Sequence, residues 1–436
     1  MSPISSISAT VAELEVLPSA LLLLGFALLV LVVAERSLRR LPFSSALIYL
    51  ALGWLAGAFL GAPSTQALVG DAPLLVVITE VAVLVSLFAV GVRLRVPPTW
   101  HAWAPALLLA GPSMALTIGL AALLGHGLLA LSLPAAMLLG AILAPTDPVL
   151  ASDVQLRSNV DREPVRTTLT AEGGMNDGTA LPAVMLALGL LNMHELGEGW
   201  RNWWVDDLLW PIGGGALIGA AGGWALGAVL HWRVRAGDTL LRDELLYVGA
   251  VALCYGTALA LEVSSFVVAF AAGVLVMRPL EKGALEPKAK ALAERLHDFG
   301  ERCERLIEAA MVLFVGVALH SVVIEPKHLA YAVLMLLVVR PVSVLAVMHG
   351  RLLPGRQRLL VGWFGIRGIG SLFYLAFAME HGASGTLAHE LLATTLVCVA
   401  LSIVLHGVSA TPLMRAHGNE SSSGPKAELD DGAPLH

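Results

Sequence analysis

Cysteine and charge are both scarce in this chain of 436 residues, and each scarcity closes off a class of function. The three cysteines, Cys254, Cys303 and Cys398, stand far apart and share no metal-ligand spacing. Zinc and disulfide chemistry are therefore unsupported, and the three read as small apolar fillers. Charged residues make up 14% of the chain, against about 25% in ordinary globular domains. Hydrophobic residues make up 57%, and the mean hydropathy is +0.79. That balance excludes a soluble globular fold and points to a polytopic membrane protein. The formal net charge is -6 with no long basic stripe, so no nucleic-acid partner is expected. No basic residue precedes the first apolar run; Arg36, Arg39 and Arg40 follow it. A cleaved signal peptide carries its positive charge first, so the run reads as a retained span. No cofactor motif is present and none is expected.

What the chain has instead is apolar runs. They fall at approximately 17–35, 44–62, 72–92, 103–125, 132–153, 166–192, 207–231, 243–261, 263–280, 305–324, 329–349, 357–379 and 387–412. This makes about thirteen helical spans of ~20 residues in an all-α fold. Alternate connections hold the basic residues, beginning Arg36/Arg39/Arg40, Arg93/Arg95 and Arg157/Arg162/Arg166, with Arg201 and Lys327 as exceptions. The bias places the N-terminus outside and the C-terminus in the cytoplasm. The segment 281–304 alternates charges with Leu285, Leu292, Leu296 and Phe299, and is expected to be a cytoplasmic amphipathic helix on the membrane surface. The tail 413–436 is polar and expected to be disordered. In the seventh span Gly215, Gly219, Gly223 and Gly227 recur at every fourth position. Such a ladder lets backbones approach closely, either within the subunit or across a dimer.

Two spans break themselves. The fifth contains Ala144-Pro145-Thr146-Asp147-Pro148, whose prolines lack backbone donors and push Ala144 and Asp147 out of helical geometry. The twelfth contains Gly362-Trp363-Phe364-Gly365-Ile366-Arg367-Gly368-Ile369-Gly370-Ser371, whose glycines weaken a helix. They lie seven spans apart, pairing spans one to six with eight to thirteen. Loop charge runs the first span inward and the eighth outward, so the two six-helix halves are expected to be inverted repeats with discontinuous, crossing helices. Paired breaks of this kind mark a midplane ion site.

The charges inside the apolar runs supply its chemistry. The sixth span holds Glu172, Asn176 and Asp177; Glu172 and Asn176 are four apart and share a helical face. Ionisable groups at membrane depth are functional by default. Burial favours the neutral form of a carboxylate, so proton and cation compete for Asp177, which is what an exchanger needs. Thr146 offers hard oxygen ligands for Na+ alongside Asp177. Asp147 either ligates the ion or neutralises the half-helix N-terminus beyond Pro148. Glu172 and Arg340 read as a structural pair, since either alone is a costly unpaired charge. Arg367 balances charge at the second break. Glu80 lines the cation path or snorkels outward, Asp153 fits a cytoplasmic funnel, and His320 the outer interface.

Ala-Pro-Thr-Asp-Pro at 144–148 together with Glu-x-x-x-Asn-Asp-Gly at 172–178 resembles the monovalent cation:proton antiporter family, in its NhaP-like sodium/proton exchanger branch. The resemblance implies a transmembrane exchanger unit over residues 1–412, with a core bundle at about 103–192 and 329–412. An interface bundle is implied at about 17–92 and 207–324. It implies a multi-pass protein of the bacterial inner (plasma) membrane, a homodimer, and not an enzyme. It assigns the ion and proton site to Asp177, an orienting role to Asn176, and the partner of Glu172 to Arg340. It also implies electroneutral exchange of Na+ or Li+ for H+ by alternating access, because an Asn-Asp pair accompanies one-for-one exchange. One departure is Gly173, where the family commonly has serine; the missing hydroxyl opens a K+/H+ alternative. An ion channel and an intramembrane hydrolase built on Asp147 and Asp177 are the readings from other classes. The first is opposed by paired breaks, the second by the lack of any role for Asn176, Arg340 and Arg367.

Overall fold

Apolar runs fold as helices because hydrocarbon offers their backbone no other partner. The computed structural model describes residues 44–97, 99–148, 150, 151, 154, 163–236, 243–280, 286–350 and 352–422, together with Gly25 and Leu29. Among the described residues every regular element is helical. In chain order these are α1 (Ser45–Leu60), α2 (Thr65–Gly70), α3 (Ala72–Arg93), α4 (Trp100–Leu128), α5 (Leu133–Leu143), α6 (Pro164–Leu190) and α7 (Glu198–Arg235). There follow α8 (Asp243–Leu261), α9 (Ser265–Val276), α10 (Glu286–Ala318), α11 (Pro326–Val347), α12 (Gly355–Trp363), α13 (Ile369–Glu380) and α14 (Gly385–Ser422). Apart from the short α2, they match the expected second to thirteenth spans. The expected first span lies outside the described residues except for Gly25 and Leu29, both helical.

Helix starts follow from local chemistry. Ser132 and Glu163 take the free amides of α5 and α6, Ala135 N at 3.4 Å and Arg166 N at 2.8 Å, with Pro134 and Pro164 in the first turns. Three spans carry π segments, Leu109–Ser113 in α4, Trp203–Gly214 in α7 and Met335–Val339 in α11, each at or just before a proline that removes a ladder donor. Those of α4 and α11 each precede a broken span, at corresponding places in the two expected halves.

The glycine ladder of α7 is spent inside the subunit. An added Cβ at Gly219, Gly223 or Gly227 would run into the carbonyl of Val268, Ala272 or Val276 of α9 or the turn after it. The small face therefore seats α7 against α9 and leaves nothing of itself for a partner.

Three expectations need correction. The segment 281–304 is no separate surface helix: from Glu286 it continues into the next span as α10, 33 residues or about 50 Å long. Its buried face recurs every fourth residue through Leu292, Leu296, Gly300, Glu304, Glu308 and Val312. The two carboxylates on that face are satisfied from neighbouring helices, Glu304 by Arg93 Nη2 at 2.6 Å and Glu308 by Ser45 Oγ at 2.8 Å. Arg93, counted among the loop cations, is thus a buried partner. The last helix also outruns its apolar sequence, extending to Ser422, so residues 413–422 of the expected disordered tail are helical. Residues 423–436 of that tail lie outside the described residues.

Candidate functional site

The two broken spans meet at their breaks. α5 ends at Leu143, and the carbonyl of Ala144 loses its helical donor because the residue four along is Pro148. Arg367, from the second break, donates to that carbonyl through Nη1 and also to Pro145 O, 2.7 Å away. In return the first break caps the second. α13 begins after Gly368, which has no side chain to satisfy its free amides, and Asp147 accepts from Ile369 N instead. The same carboxylate accepts from Leu150 N at 3.1 Å, and Asp147 N donates to Ile366 O at 2.8 Å. A cation thus sits on the C-terminal carbonyls of one half-helix and an anion on the N-terminal amides of the other, each matched to the local dipole. Asp147 thus accepts at a helix N-terminus, though not the one beyond Pro148 that the expectation named. The terminus is that of α13 across the crossing; after Pro148 no half-helix stands among the described residues.

The glycines of the second break make room for charge. A Cβ at Gly365 would strike the Arg340 side chain, one at Gly368 the Asp147 carboxylate, and one at Gly370 Asp177 Oδ1. At Gly362 it would make only ordinary contacts, with Pro341 at 3.4 Å and Val344 at 3.7 Å. Flexibility alone does not explain that spacing; three of the four glycines each admit one ionisable side chain.

α6 brings the remaining groups to the same place. Asn176 Nδ2 donates to Thr146 Oγ1 at 2.6 Å and to Thr146 O at 3.2 Å. The carbonyl can only accept, so it fixes the amide orientation and leaves Asn176 Oδ1 turned away, with no bonding partner among the described residues. Asp177 is fully buried, and among the described residues neither of its carboxylate oxygens has a protein donor. Its backbone carbonyl accepts from the buried Tyr374 hydroxyl of α13, which holds α6 against the second break. Ser371, next to Gly370, is also buried with an unbonded hydroxyl. Glu172 is fully spoken for: Arg340 Nη2 lies 2.7 and 2.8 Å from its two oxygens, and both side chains are 2% exposed. Of the three buried acids here, two are committed to protein partners and Asp177 is not.

A family model described as "Sodium/hydrogen exchanger, transmembrane" matches residues 25–416. The chain belongs to that family. It is similar to the Na(+)/H(+) antiporter NhaP of Pseudomonas aeruginosa, at 28% identity over 64% of this chain and 65% of the relative. It is also similar to the K(+)/H(+) antiporter NhaP of Alkalimonas amylolytica, at 26% identity over 92% of this chain and 67% of the relative. The chain thus spans about two thirds of the length of these curated relatives. The solved structure of the sodium proton antiporter MjNhaP1 from Methanocaldococcus jannaschii at pH 8 superposes with a TM-score of 0.66. The match covers 92% of this chain and 98% of that one, and at 19% identity it shows the exchanger fold.

The other expected site residues lie elsewhere in the fold or outside the described residues. Glu80 does not snorkel outward; its oxygens accept from Ser265 Oγ at 2.7 Å and Tyr255 OH at 3.0 Å on α9 and α8. His320 is in the turn after α10, exposed, with Nε2 2.9 Å from Trp54 O. Asp153 lies outside the described residues. Tyr374, Gly370 and the Arg93–Glu304 pair were not anticipated. The every-fourth-residue stripe of α10 would have exposed Glu304; nothing local in the sequence distinguishes Tyr374 from an ordinary core aromatic.

Proposed function

We propose that this chain exchanges a monovalent cation for a proton, Na+ or Li+ first, one for one, with Asp177 carrying either load. The observation behind this is the buried Asp177 carboxylate, which has no hydrogen-bond donor among the described residues. An isolated carboxylate in such surroundings costs many kcal/mol when charged, so it holds either a proton or a cation. With Glu172 bound to Arg340 and Asp147 bound to backbone amides, one carboxylate remains to change its load. That count gives electroneutral exchange. Asn176 Oδ1 and Thr146 Oγ1 stand ready as further oxygen ligands, Glu80 lines the approach, and Arg367 keeps the crossing neutral.

Alternating access fits the way the polar contacts divide. Glu172–Arg340 and the Arg367 brace lie within the core bundle of about 103–192 and 329–412. Arg93–Glu304 and Glu80 with Tyr255 and Ser265 lie within the other bundle. Between them is an apolar seam, with Phe266 edge-on to Phe373 at 4.9 Å and a small cavity bounded by Leu68, Leu75, Leu372 and Leu396. An apolar seam lets one bundle slide on the other at little electrostatic cost. We place the exchanger in a bacterial inner membrane as a homodimer, meeting on surfaces other than the glycine face of α7. Potassium/proton exchange is the second reading, favoured by Gly173 and by the potassium antiporter relatives.

The test is proton-gradient dissipation in inverted vesicles with lithium, sodium, potassium and rubidium in turn. Dissipation by sodium and lithium supports the first reading, and dissipation by potassium alone supports the second. Steady cation flux without proton counterflow would make the protein a channel.

A further inference from the structure

Two polar residues of α14, Ser402 and His406, take no part in the site described above, yet between them they hold both ends of the second break. Ser402 is fully buried and His406 is 2% exposed. Ser402 Oγ accepts from Arg367 N at 2.9 Å. His406 Nε2 lies 2.9 Å from the carbonyl of Trp363, the last residue of α12. A carbonyl only accepts, so Nε2 carries a hydrogen. The residues are four apart on one helix, so the two attachment points have a fixed spacing. Arg367 is also the residue whose guanidinium caps α5, so a shift of its backbone shifts that cap.

The other ring nitrogen faces two atoms of one residue. Nδ1 is 3.1 Å from Ser402 Oγ and 2.9 Å from Ser402 O. With a lone pair there, Nδ1 accepts the Ser402 hydroxyl hydrogen, which turns the hydroxyl lone pairs toward Arg367 N–H. With a proton there, Nδ1–H donates to the Ser402 carbonyl and the hydroxyl loses its acceptor. The charged groups nearest across the packed elements are Arg367 of the break and Arg340 of α11, the latter paired with Glu172 of α6.

We propose that His406 is a positioning residue of the exchange site: through Ser402 and the Trp363 carbonyl it sets the geometry of the 364–368 break, and the proton at Nδ1 decides whether that brace is complete. The inference rests on the exchange reading. It is tested in proteoliposomes by cation-driven dissipation of a pH gradient, with Na+ and K+, across pH, for the wild type, His406→Ala, Ser402→Ala and His406→Gln.

His406→Ala and Ser402→Ala should raise the apparent KM for the cation about tenfold while the maximal rate changes less. His406→Gln keeps an amide donor for Trp363 but cannot titrate. Its KM should stay within about threefold of wild type, and its acid-side loss of exchange should move to lower pH by about half a unit. Protonation of Asp177 also limits exchange in acid and persists in every variant, so only the His406 component moves. Should the alanine variants fail to fold, the glutamine variant alone decides through its pH profile. An acid limb coincident with wild type, or alanine variants with wild-type KM, overturns the brace while exchange stands. A wild type that moves no protons with either cation overturns the exchange reading and the role of His406 in it.

Discussion

Neutralising one member of the Glu172–Arg340 pair should damage the protein more than neutralising both. The side chains are 2% exposed and meet at 2.7 and 2.8 Å, so each is desolvated and depends on the other. Removing one partner of such a pair costs about 3–5 kcal/mol, while replacing both with neutral groups is often close to neutral. Glu172→Gln/Arg340→Gln should therefore recover most of the single losses, with a coupling energy of about 4 kcal/mol or more. The two singles should also differ, because Arg367 lies within electrostatic range of both residues. Glu172→Gln leaves two buried arginines facing each other, whereas Arg340→Gln leaves Glu172 near one cation, so the glutamate change should be worse by roughly 1 kcal/mol. The assay is loss of monodisperse protein on heating in detergent, at one heating rate for all four proteins, because unfolding of this kind is read as a rate. Additive losses would show that the residues are not partners. An arginine change worse by the same margin would remove Arg367 from the account.

Three further predictions concern transport. Asp177→Asn should insert normally and lose cation-dependent gradient dissipation, and a variant retaining a tenth of wild-type exchange would move the load to another carboxylate. Gly370→Ala pushes a methyl against Asp177 Oδ1 and should cut exchange at least about tenfold, ~1.4 kcal/mol, with the fold intact. Gly362→Ala, which meets Pro341 at 3.4 Å, should be silent, and equal effects of the two would mean the glycines only confer flexibility. Gly173→Ser should lower the apparent KM for sodium or lithium more than for potassium, because fixed oxygens matter most to the more strongly hydrated ion. An unchanged ion ranking in a folded protein would place residue 173 away from the cation.

The one-dimensional pattern determined the class of fold, the positions of nearly all spans, the two breaks and the acids inside them. These are legible because hydrocarbon imposes its demand locally: a run is apolar for ~20 residues or it does not span, and a proline removes its donor wherever the chain goes. The pairing of Glu172 with Arg340 was legible for a related reason, since an unpaired charge at that depth implies a partner somewhere. Which groups face each other across helices was decided only in three dimensions. Asp147 could have been a ligand or a cap from its sequence; it is spent on Ile369 N because the second break crosses beside it and starts with a glycine that cannot cap itself. The glycine ladder of α7 could have met a second subunit, and α9 fills it instead. α10 was divided at its charges because nothing in residues 281–324 announces that Arg93 and Ser45, more than two hundred positions earlier, satisfy Glu304 and Glu308. Burial cost is a property of one residue and is written along the chain; its compensation is a property of two, and only the folded helices bring the second one into reach.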